Sequence, residues 1–547
     1  MTPATTTAGN GGAKPSDVDF DAVVVGAGFS GLYQTHLLRG LGLSVRVFEA
    51  GDGVGGTWYW NRYPGARCDS PSHVYQYWFS EELLQEWDWS ERFPSQPEVL
   101  RYLNHVAEKF DLLRDIRFNT RVTSAVYDEP GNFWEIGTDD GQVARAQFLV
   151  LAIGGLSTPL IPEFEGRETF AGEAYHTAEW PHAGVDLDGK RVGVIGTGAT
   201  GIQVVQEAAK RAGRLTVFQR TPNYAIAINN PSYAPGDWQR IRERFDEIRR
   251  ATRQSFAGFD CDLDERSALE VDPEERRETF ESLWADGSLR FWIGNFGDII
   301  TDRQANETVA EFVREKIRER VSDPATAEKL TPTDHPFGTK RVPLENGYFE
   351  AFNRDNVTLV DTRQTPIERI TPKGVRVAGA EHELDVLVYA TGFDAVTGTV
   401  TKIDIRGRNG ASLAREWDRN VHTYLGLLTA GFPNLFMVTG PTAPSVAFCN
   451  YPTCAMQQVD WIAQCLGDLR RRNLSRIEAT PEAEQGWLDH HNEVAAQTLM
   501  PLTDSWWMGA NIPGKPRILL SYVGGGPAYR QICEDVAARG YEGFRLD

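Results

Sequence analysis

Two glycine-rich loops carry the first chemistry legible in this chain: Gly26-Ala27-Gly28-Phe29-Ser30-Gly31 and Gly196-Thr197-Gly198-Ala199-Thr200-Gly201. Each has the spacing G-x-G-x-x-G. The first Gly makes a tight turn, the second lets backbone approach a pyrophosphate, and the third lets a helix pack close to a strand. With 52 Gly in 547 residues, a bare match arises by chance about 0.5 times per chain, so context must carry the reading. That context is present. Residues 20–25 (FDAVVV) and 191–195 (RVGVI) are apolar runs that read as buried parallel strands. Helical spacing follows each loop, and 43–48 (LSVRVF) and 215–218 (LTVF) read as the next strands. After the first unit, Glu49 stands 18 residues beyond Gly31, placed to accept hydrogen bonds from ribose hydroxyls. The second unit ends instead in Gln219-Arg220-Thr221. An acid there would repel a 2′-phosphate, whereas an Arg beside a hydroxyl binds one, so this site expects NADP rather than NAD. Two dinucleotide sites on one chain predict an enzyme that takes electrons from one cofactor and hands them to another.

Other residues invite chemical readings. Residues 51–69 (GDGVGGTWYWNRYPGARCD) are too rich in Gly, aromatics and Arg for a linker. Aromatics beside a dinucleotide site can stack on a flat ring; a packed aromatic loop is the alternative. Asp69 closes that loop, where a lone Asp is ordinarily a cap or a surface charge. In 335–344 (HPFGTKRVPL), Lys340 and Arg341 are adjacent cations flanked by Gly338 and Pro343. Between the two glycine loops lies 170–181 (FAGEAYHTAEWP), whose His176 invites a general-base reading.

The elements that must position these groups alternate in type. Residues 80–115 have helical spacing; 122–127, 133–136 and 143–152 read as a small antiparallel meander that returns to a buried strand at 148–155. Residues 231–330 are charged and helical, with Val309, Phe312, Val313, Ile317 and Val321 on one face of the last segment. Strands are expected at 356–361, 374–377, 386–390 and 434–439, and a helix at 456–469. The expected fold class is α/β: two Rossmann-like dinucleotide-binding domains with a helical insertion. The first domain takes 18–155 and 385–547, the second 156–230 and 331–384, and the insertion 231–330. Residues 1–17, small, polar and Gly-rich, read as a disordered leader without the apolar middle of a signal peptide.

Composition excludes several function classes. A net charge of −20 argues against a nucleic-acid or anionic-membrane partner, which wants clustered Lys and Arg. No apolar run approaches the roughly 20 residues of a membrane span, and a cytoplasmic protein, monomeric or a small homo-oligomer, is expected. Cys68, Cys261, Cys449, Cys454, Cys465 and Cys533 form no C-x-x-C pair. Free thiols are therefore expected, with no bound metal, zinc included, and no redox dithiol of the disulfide-reductase kind.

Together these motifs carry a resemblance. FAGEAYHTAEWP fits F-x-G-x-x-x-H-x-x-x-W-P at every position and resembles the fingerprint of the type I Baeyer–Villiger monooxygenases. The stretches at 55–69, 337–341 (FGTKR), 390–395 (ATGFDA) and 505–517 (SWWMGANIPGKPR) also look like that family, in its cyclohexanone, phenylacetone and steroid monooxygenase branch. The resemblance runs from about residue 20 to the C-terminus. It implies FAD in the first site and NADPH in the second. Reduced flavin would capture O2 as a C4a-peroxide, which attacks a ketone, and the resulting Criegee adduct would rearrange to an ester or lactone. It implies that Arg341 stabilises the negative peroxide and adduct and that Asp69 pairs with it. Lys340 would join Arg220 on the 2′-phosphate, and Trp506 would contact the NADP ribose. Thr57, Trp58, Tyr59 and Trp60 would lie along the flavin and Tyr75 near its chain, with Val122 and Tyr451 also on FAD. His176 and Trp180 become hinge residues rather than catalysts, with Pro181 fixing the turn. Residues 443–453 would line a pocket for a cyclic, aromatic or steroid-like ketone, made apolar by Phe448, Tyr451 and Pro452. That segment is about one residue longer than in the phenylacetone type. An N- or S-oxygenating flavin monooxygenase is the competing enzyme reading, and a flavoprotein redox sensor the non-enzyme one. Sulfoxidation is expected as a side activity.

Overall fold

A computed structural model describes residues 18–547; the expected leader at 1–17 lies outside them. Two sheets organise the chain. In the first, eight strands include Phe20–Val25 flanked in parallel by Val45–Phe48 and Val143–Leu151. Val25 stands opposite both Phe48 and Leu151, so the three strands end level where the glycine loop emerges. β-branched Val at 23–25 suits a strand buried on both faces, and all three are buried.

The expected meander belongs to this same sheet. Val143–Leu151 pairs antiparallel with Phe133–Thr138 through its first half and parallel with Phe20–Val25 through its second. Leu435–Met437 then pairs with its last three residues. A nine-residue strand thus joins the meander to the nucleotide-binding strands.

The second sheet is wholly parallel, in the order Val357–Asp361, Arg214–Gln219, Arg191–Ile195, Val386–Tyr389, Glu173–His176. Its strand Val386–Tyr389 lies past residue 385, so the chain leaves this sheet later than the expected boundary. The apolar run VLVY has nothing in its composition to say which of two similar sheets it enters. It is placed by the neighbours Arg191–Ile195 and Glu173–His176.

The stretch 80–115 is not one helix. Helix Glu81–Glu86, capped by Ser80, stops at Trp87, whose backbone is extended. Residues 87–95 run as a loop, with Ser95 bridged to Arg67, and a second helix, Gln96–Lys109, starts with Pro97 in its first turn. Helix Tyr451–Arg471 begins earlier than expected for the same reason, since Pro452 suits a first turn.

Within 231–330, helix Arg303–Arg320 is capped by Asp302, whose carboxylate accepts from the amides of Gln304 and Ala305. Its Val309, Phe312, Val313 and Ile317 are buried, as is Val321 just beyond. Phe280, Phe291 and Phe296 pack around them. Among the described residues no helix is long and apolar enough to cross a membrane.

Candidate active site

The first loop is shaped by close approach. Gly26 turns at φ +100°, and a Cβ on it would meet the Ala152 carbonyl at 2.7 Å. A Cβ on Gly31 would run into the Gly26 carbonyl, so only Gly lets helix Phe29–Gly40 begin so near the strand. Gly28 approaches Gly56 of the aromatic loop. No side chain caps this helix, which suits its first amides to an anion. Glu49 is 5% exposed and accepts from the amides of Ala27 and Gly51, each at 2.8 Å. Burial pushes its carboxyl above the ordinary range, and those amides pull it back. Each oxygen keeps a second lone pair for a hydroxyl donor.

The aromatic loop sits over this turn, with the Gly55 amide donating to the Ala27 carbonyl at 3.0 Å. Thr57–Trp60 is a short helix in which Trp58 and Tyr59 are buried. Trp58 Nε1 donates to the Tyr75 hydroxyl (3.1 Å), and the Tyr75 ring meets Phe29 edge-on at 5.2 Å. The Ser30 and Tyr451 hydroxyls bond at 2.8 Å. Val122 is buried in one apolar cluster with Phe48. Residues scattered from 28 to 451 thus meet at one helix N-terminus.

The second loop repeats the turn. Gly196 has φ +112°, a Cβ on Gly201 would strike the Gly196 carbonyl, and one on Gly198 would meet nothing within 4 Å. Helix Ala199–Arg211 again has no side-chain cap. Thr197 Oγ1 donates to the Thr221 carbonyl at 2.8 Å, tying the loop to the next strand's end. Gln219 spends its Nε2 on the Lys329 carbonyl (2.7 Å), while its Oε1 is buried without a partner among the described residues. Arg220 is exposed. Burial pushes the Lys340 ammonium below its ordinary range; Asp334 opposes this, and the Arg220 charge adds to it. Among the described residues neither cation has an ion-pair partner. Two neighbouring cations so placed fit a phosphate dianion.

Arg341 links the two halves. Its guanidinium reaches Asp69 Oδ2 at 3.4 Å and lies 5.9 Å from the ring centre of Trp292. Asn223 Nδ2 donates to its carbonyl at 2.9 Å. Asp69 is buried, and among the described residues its Oδ1 has no hydrogen-bond partner. Burial pushes the Asp69 carboxyl up, and the Arg341 charge is the main opposing influence. Asp69 ends the aromatic loop of the first site and Arg341 follows Lys340 of the second, so the pair spans both.

His176 has both ring nitrogens engaged by backbone. Nδ1 accepts from the Ala178 amide and Nε2 meets the Gly392 carbonyl, both at 3.1 Å. Burial lowers its pKa to about 4. Trp180 is buried nearby, its ring 5.7 Å from Tyr175. His491, whose Nε2 meets the Leu519 carbonyl, is likewise lowered to about 4 by burial. The linkage has a definite sign. Between about pH 6.5 and 4 the unfolded chain binds these protons and the folded one does not, so stability falls as pH falls. The melting temperature should drop across that window, and His176→Gln should make the drop shallower. An unchanged slope in the variant would refute the assignment.

Several residues that build this site carried no signal in the charged helical region. Trp292, from helix Arg290–Ile293, stacks on Trp507 with centroids 6.0 Å apart and meets Phe448 at 5.0 Å. The motif at 505–517 pointed to Trp506, which is half-buried, whereas Trp507 is fully buried. Asn306 is also buried: its Oδ1 accepts from the Phe337 amide (2.9 Å), and its Nδ2 donates to the Phe337 (2.8 Å) and Ile299 (2.6 Å) carbonyls. One amide side chain thus fixes the loop that carries Lys340 and Arg341. Asn306→Ala would leave those buried groups unpaired at about 1–3 kcal/mol each. We expect a lower melting temperature and slower turnover, checked by scanning calorimetry and NADPH oxidation.

Two motifs also clasp each other, with Lys515 Nζ on Asp394 Oδ1 at 2.8 Å and Asn511 Nδ2 on the Phe393 carbonyl at 2.9 Å. One cysteine expectation needs correction: Cys449 and Cys454 are joined as a disulfide. Their C-x4-C spacing spans a helix start, where Cα atoms come within bridging range; the other four are free. A surface cleft of about 620 Å3 between Tyr59, Gln96 and His182 includes neither Arg341 nor residues 443–453.

Residues 21–251 match the family model described as flavin-binding monooxygenase-like. An acetone monooxygenase (methyl acetate-forming) from Gordonia sp. (strain TY-5) is 49% identical, covering 97% of this chain and 100% of the relative. A Baeyer–Villiger monooxygenase from Pseudooceanicola batsensis is 43% identical, covering 98% and 97%. Among solved structures, OTEMO in complex with FAD and NADP superposes with a TM-score of 0.94 at 42% identity, covering 97% of this chain and 100% of that one. With two glycine loops, a cation pair beside the second and an Arg–Asp pair between them, the chain belongs to the flavin-binding monooxygenase-like family, in its Baeyer–Villiger branch.

Proposed function

We propose that this chain is an FAD- and NADPH-dependent monooxygenase that inserts one atom of O2 beside a ketone carbonyl, giving an ester or lactone. The observation that carries this reading is the Arg341–Asp69 pair bridging the two dinucleotide sites. Attack on a ketone places negative charge on oxygen, and a fixed cation there lowers the barrier. N- or S-oxygenation by an electrophilic oxidant needs no such cation.

The residues present fit both cofactors. The open amides after Gly28 and the lone pairs of Glu49 suit the pyrophosphate and ribose of FAD, with Trp58 and Tyr75 packed alongside. The amides after Gly198 suit the NADPH pyrophosphate, and Arg220 with Lys340 its 2′-phosphate. When bound, the reduced flavin supplies the activated oxygen. The protein's part is to hold that oxygen and the ketone against Arg341, keep Arg341 in place through Asp69 and Trp292, and exclude water. Phe448 supplies an apolar wall, beside Tyr451 and Pro452. His176 and Trp180 act as hinge residues, since neither nitrogen of His176 is left for substrate. Trp506 serves the NADP side. The substrate is a ketone, and the acetone-oxidising relative supports small ones; cyclic, aromatic and steroid-sized ketones are the range to test. We read the enzyme as cytoplasmic and as a monomer or small homo-oligomer; the net charge of −20 supports the reading that it has no nucleic-acid or anionic-membrane partner.

The test follows NADPH oxidation and product mass with a graded panel of ketones, alongside thioanisole and a tertiary amine. Ketone-stimulated turnover giving a product one oxygen heavier, hydrolysable as an ester, is expected, with slower sulfoxidation. Turnover with the sulfide or amine alone would overturn the reading.

A further inference from the structure

We propose that Cys449 and Cys454 are a peroxide-reactive dithiol set in the pocket wall, and that closing their disulfide holds Phe448 against Trp292 and Trp507. The two Cα atoms are 6.3 Å apart, inside the range a disulfide spans. Cys449 is half-buried and so reachable, whereas Cys454 is 4% exposed, in the first turn of helix Tyr451–Arg471. An accessible attacking thiol with a sheltered partner beside it is the arrangement of a peroxide-sensing pair.

The residues between them tie separate parts of the molecule together. The Asn450 amide donates to the Ala257 carbonyl (2.8 Å) and its Nδ2 to the Val74 carbonyl (2.7 Å). Thr453 Oγ1 donates to the Gly258 carbonyl (3.0 Å), and Tyr451 bonds Ser30 of the first glycine loop. Phe448 immediately precedes Cys449 and lies 5.0 Å from Trp292 and 5.3 Å from Trp507. Trp292 in turn flanks Arg341. A bond closed between 449 and 454 therefore restrains the aromatic wall nearest the reactive cation. The four other thiols are poor competitors. Burial pushes all of them up, to about 12 at Cys261 and Cys533, and only a thiolate attacks readily.

The oxidant follows from the function proposed above, on which this inference rests. Activated oxygen that meets no ketone leaves as hydrogen peroxide: NADPH, H+ and O2 give NADP+ and H2O2. The Cys449 sulfur attacks one peroxide oxygen, the O–O bond breaks and water leaves, giving a sulfenic acid. The Cys454 sulfur then displaces that oxygen as a second water and the S–S bond forms. The two sulfurs lose two electrons, which the peroxide gains, and both thiol protons end in the waters.

The test uses the FAD-loaded enzyme, reduced with a phosphine, freed of reductant and divided. One half receives one equivalent of hydrogen peroxide, then catalase. Expected is a 449–454 peptide lighter by two hydrogens in the treated half, with Cys68, Cys261, Cys465 and Cys533 still alkylated on denaturation. The reduced half should show a ketone KM about twofold to tenfold higher, the equivalent of leaving one side chain unordered, with the NADPH KM unchanged. Cys454→Ser should keep the higher KM with or without peroxide. Peroxide that leaves Cys449 and Cys454 alkylatable, or equal ketone KM in the two halves, would overturn the proposal. Absence of any ketone turnover would strike the proposed function instead, and the peptide masses would still decide whether the disulfide forms.

Discussion

Arg341→Ala is expected to keep FAD and lose ketone turnover by about 100-fold or more, the scale of removing one preorganised charge donor from a developing oxyanion. Among the described residues, none of the hydrogen-bond, ion-pair or ring partners of Arg341 lies in the first glycine loop. Its partners are Asp69, Trp292 and, through its carbonyl, Asn223. The first cofactor site should therefore survive, which the flavin absorbance of the purified variant checks. Removing Arg341 also deprives buried Asp69 of its main countercharge, so the variant's Asp69 should take up a proton. Arg341→Lys keeps a charge and loses the planar fork, so it should fall between variant and wild type. Asp69→Ala should slow turnover less than Arg341→Ala, because the cation stays and only its placement loosens. Ester formation at the wild-type rate in Arg341→Ala would remove Arg341 from the chemistry.

Arg220→Ala is expected to weaken NADPH by about 10- to 100-fold and leave NADH almost untouched, matching a lost charge-assisted hydrogen bond of about 1.5–3 kcal/mol. Lys340→Ala should act in the same direction. Among the described residues no carboxylate forms an ion pair with either cation; Asp334 and Asp504 only partly offset the charge at Lys340, and a phosphate dianion relieves the repulsion that remains. Each single variant loses attraction for the phosphate and gains relief from its neighbour, so the double variant should lose less than the product of the single losses. KM for NADPH and NADH, measured side by side, decides this. Equal weakening of both nucleotides would show that Arg220 acts on something other than the 2′-phosphate.

Local patterns made much of this molecule legible in advance. A strand, a tight glycine turn and a helix occupy contiguous residues, so 20–48 and 191–219 declare their form and their phosphate chemistry in one reading. The change from Glu49 to Arg220 at equivalent strand ends is the charge difference on which the proposed NADP preference of the second site rests. The apolar stripe at 309, 312, 313, 317 and 321 likewise identified a buried helix face.

What only the tertiary structure decided are relations between distant segments. Val386–Tyr389 is an unremarkable apolar run, and its place in the second sheet depends on the neighbours that flank it. Trp292 and Asn306 lie among charged helices, where the sequence signal is dominated by solvated faces. They become part of the site because that region packs against the loop bearing Lys340 and Arg341. Cys449 and Cys454 have no motif spacing, and meet because Asn450 begins a helix between them. Backbone geometry within a few residues is set by the residues themselves. Which side chain fills, holds or faces a site is set by burial across hundreds of residues, and no local pattern encodes it.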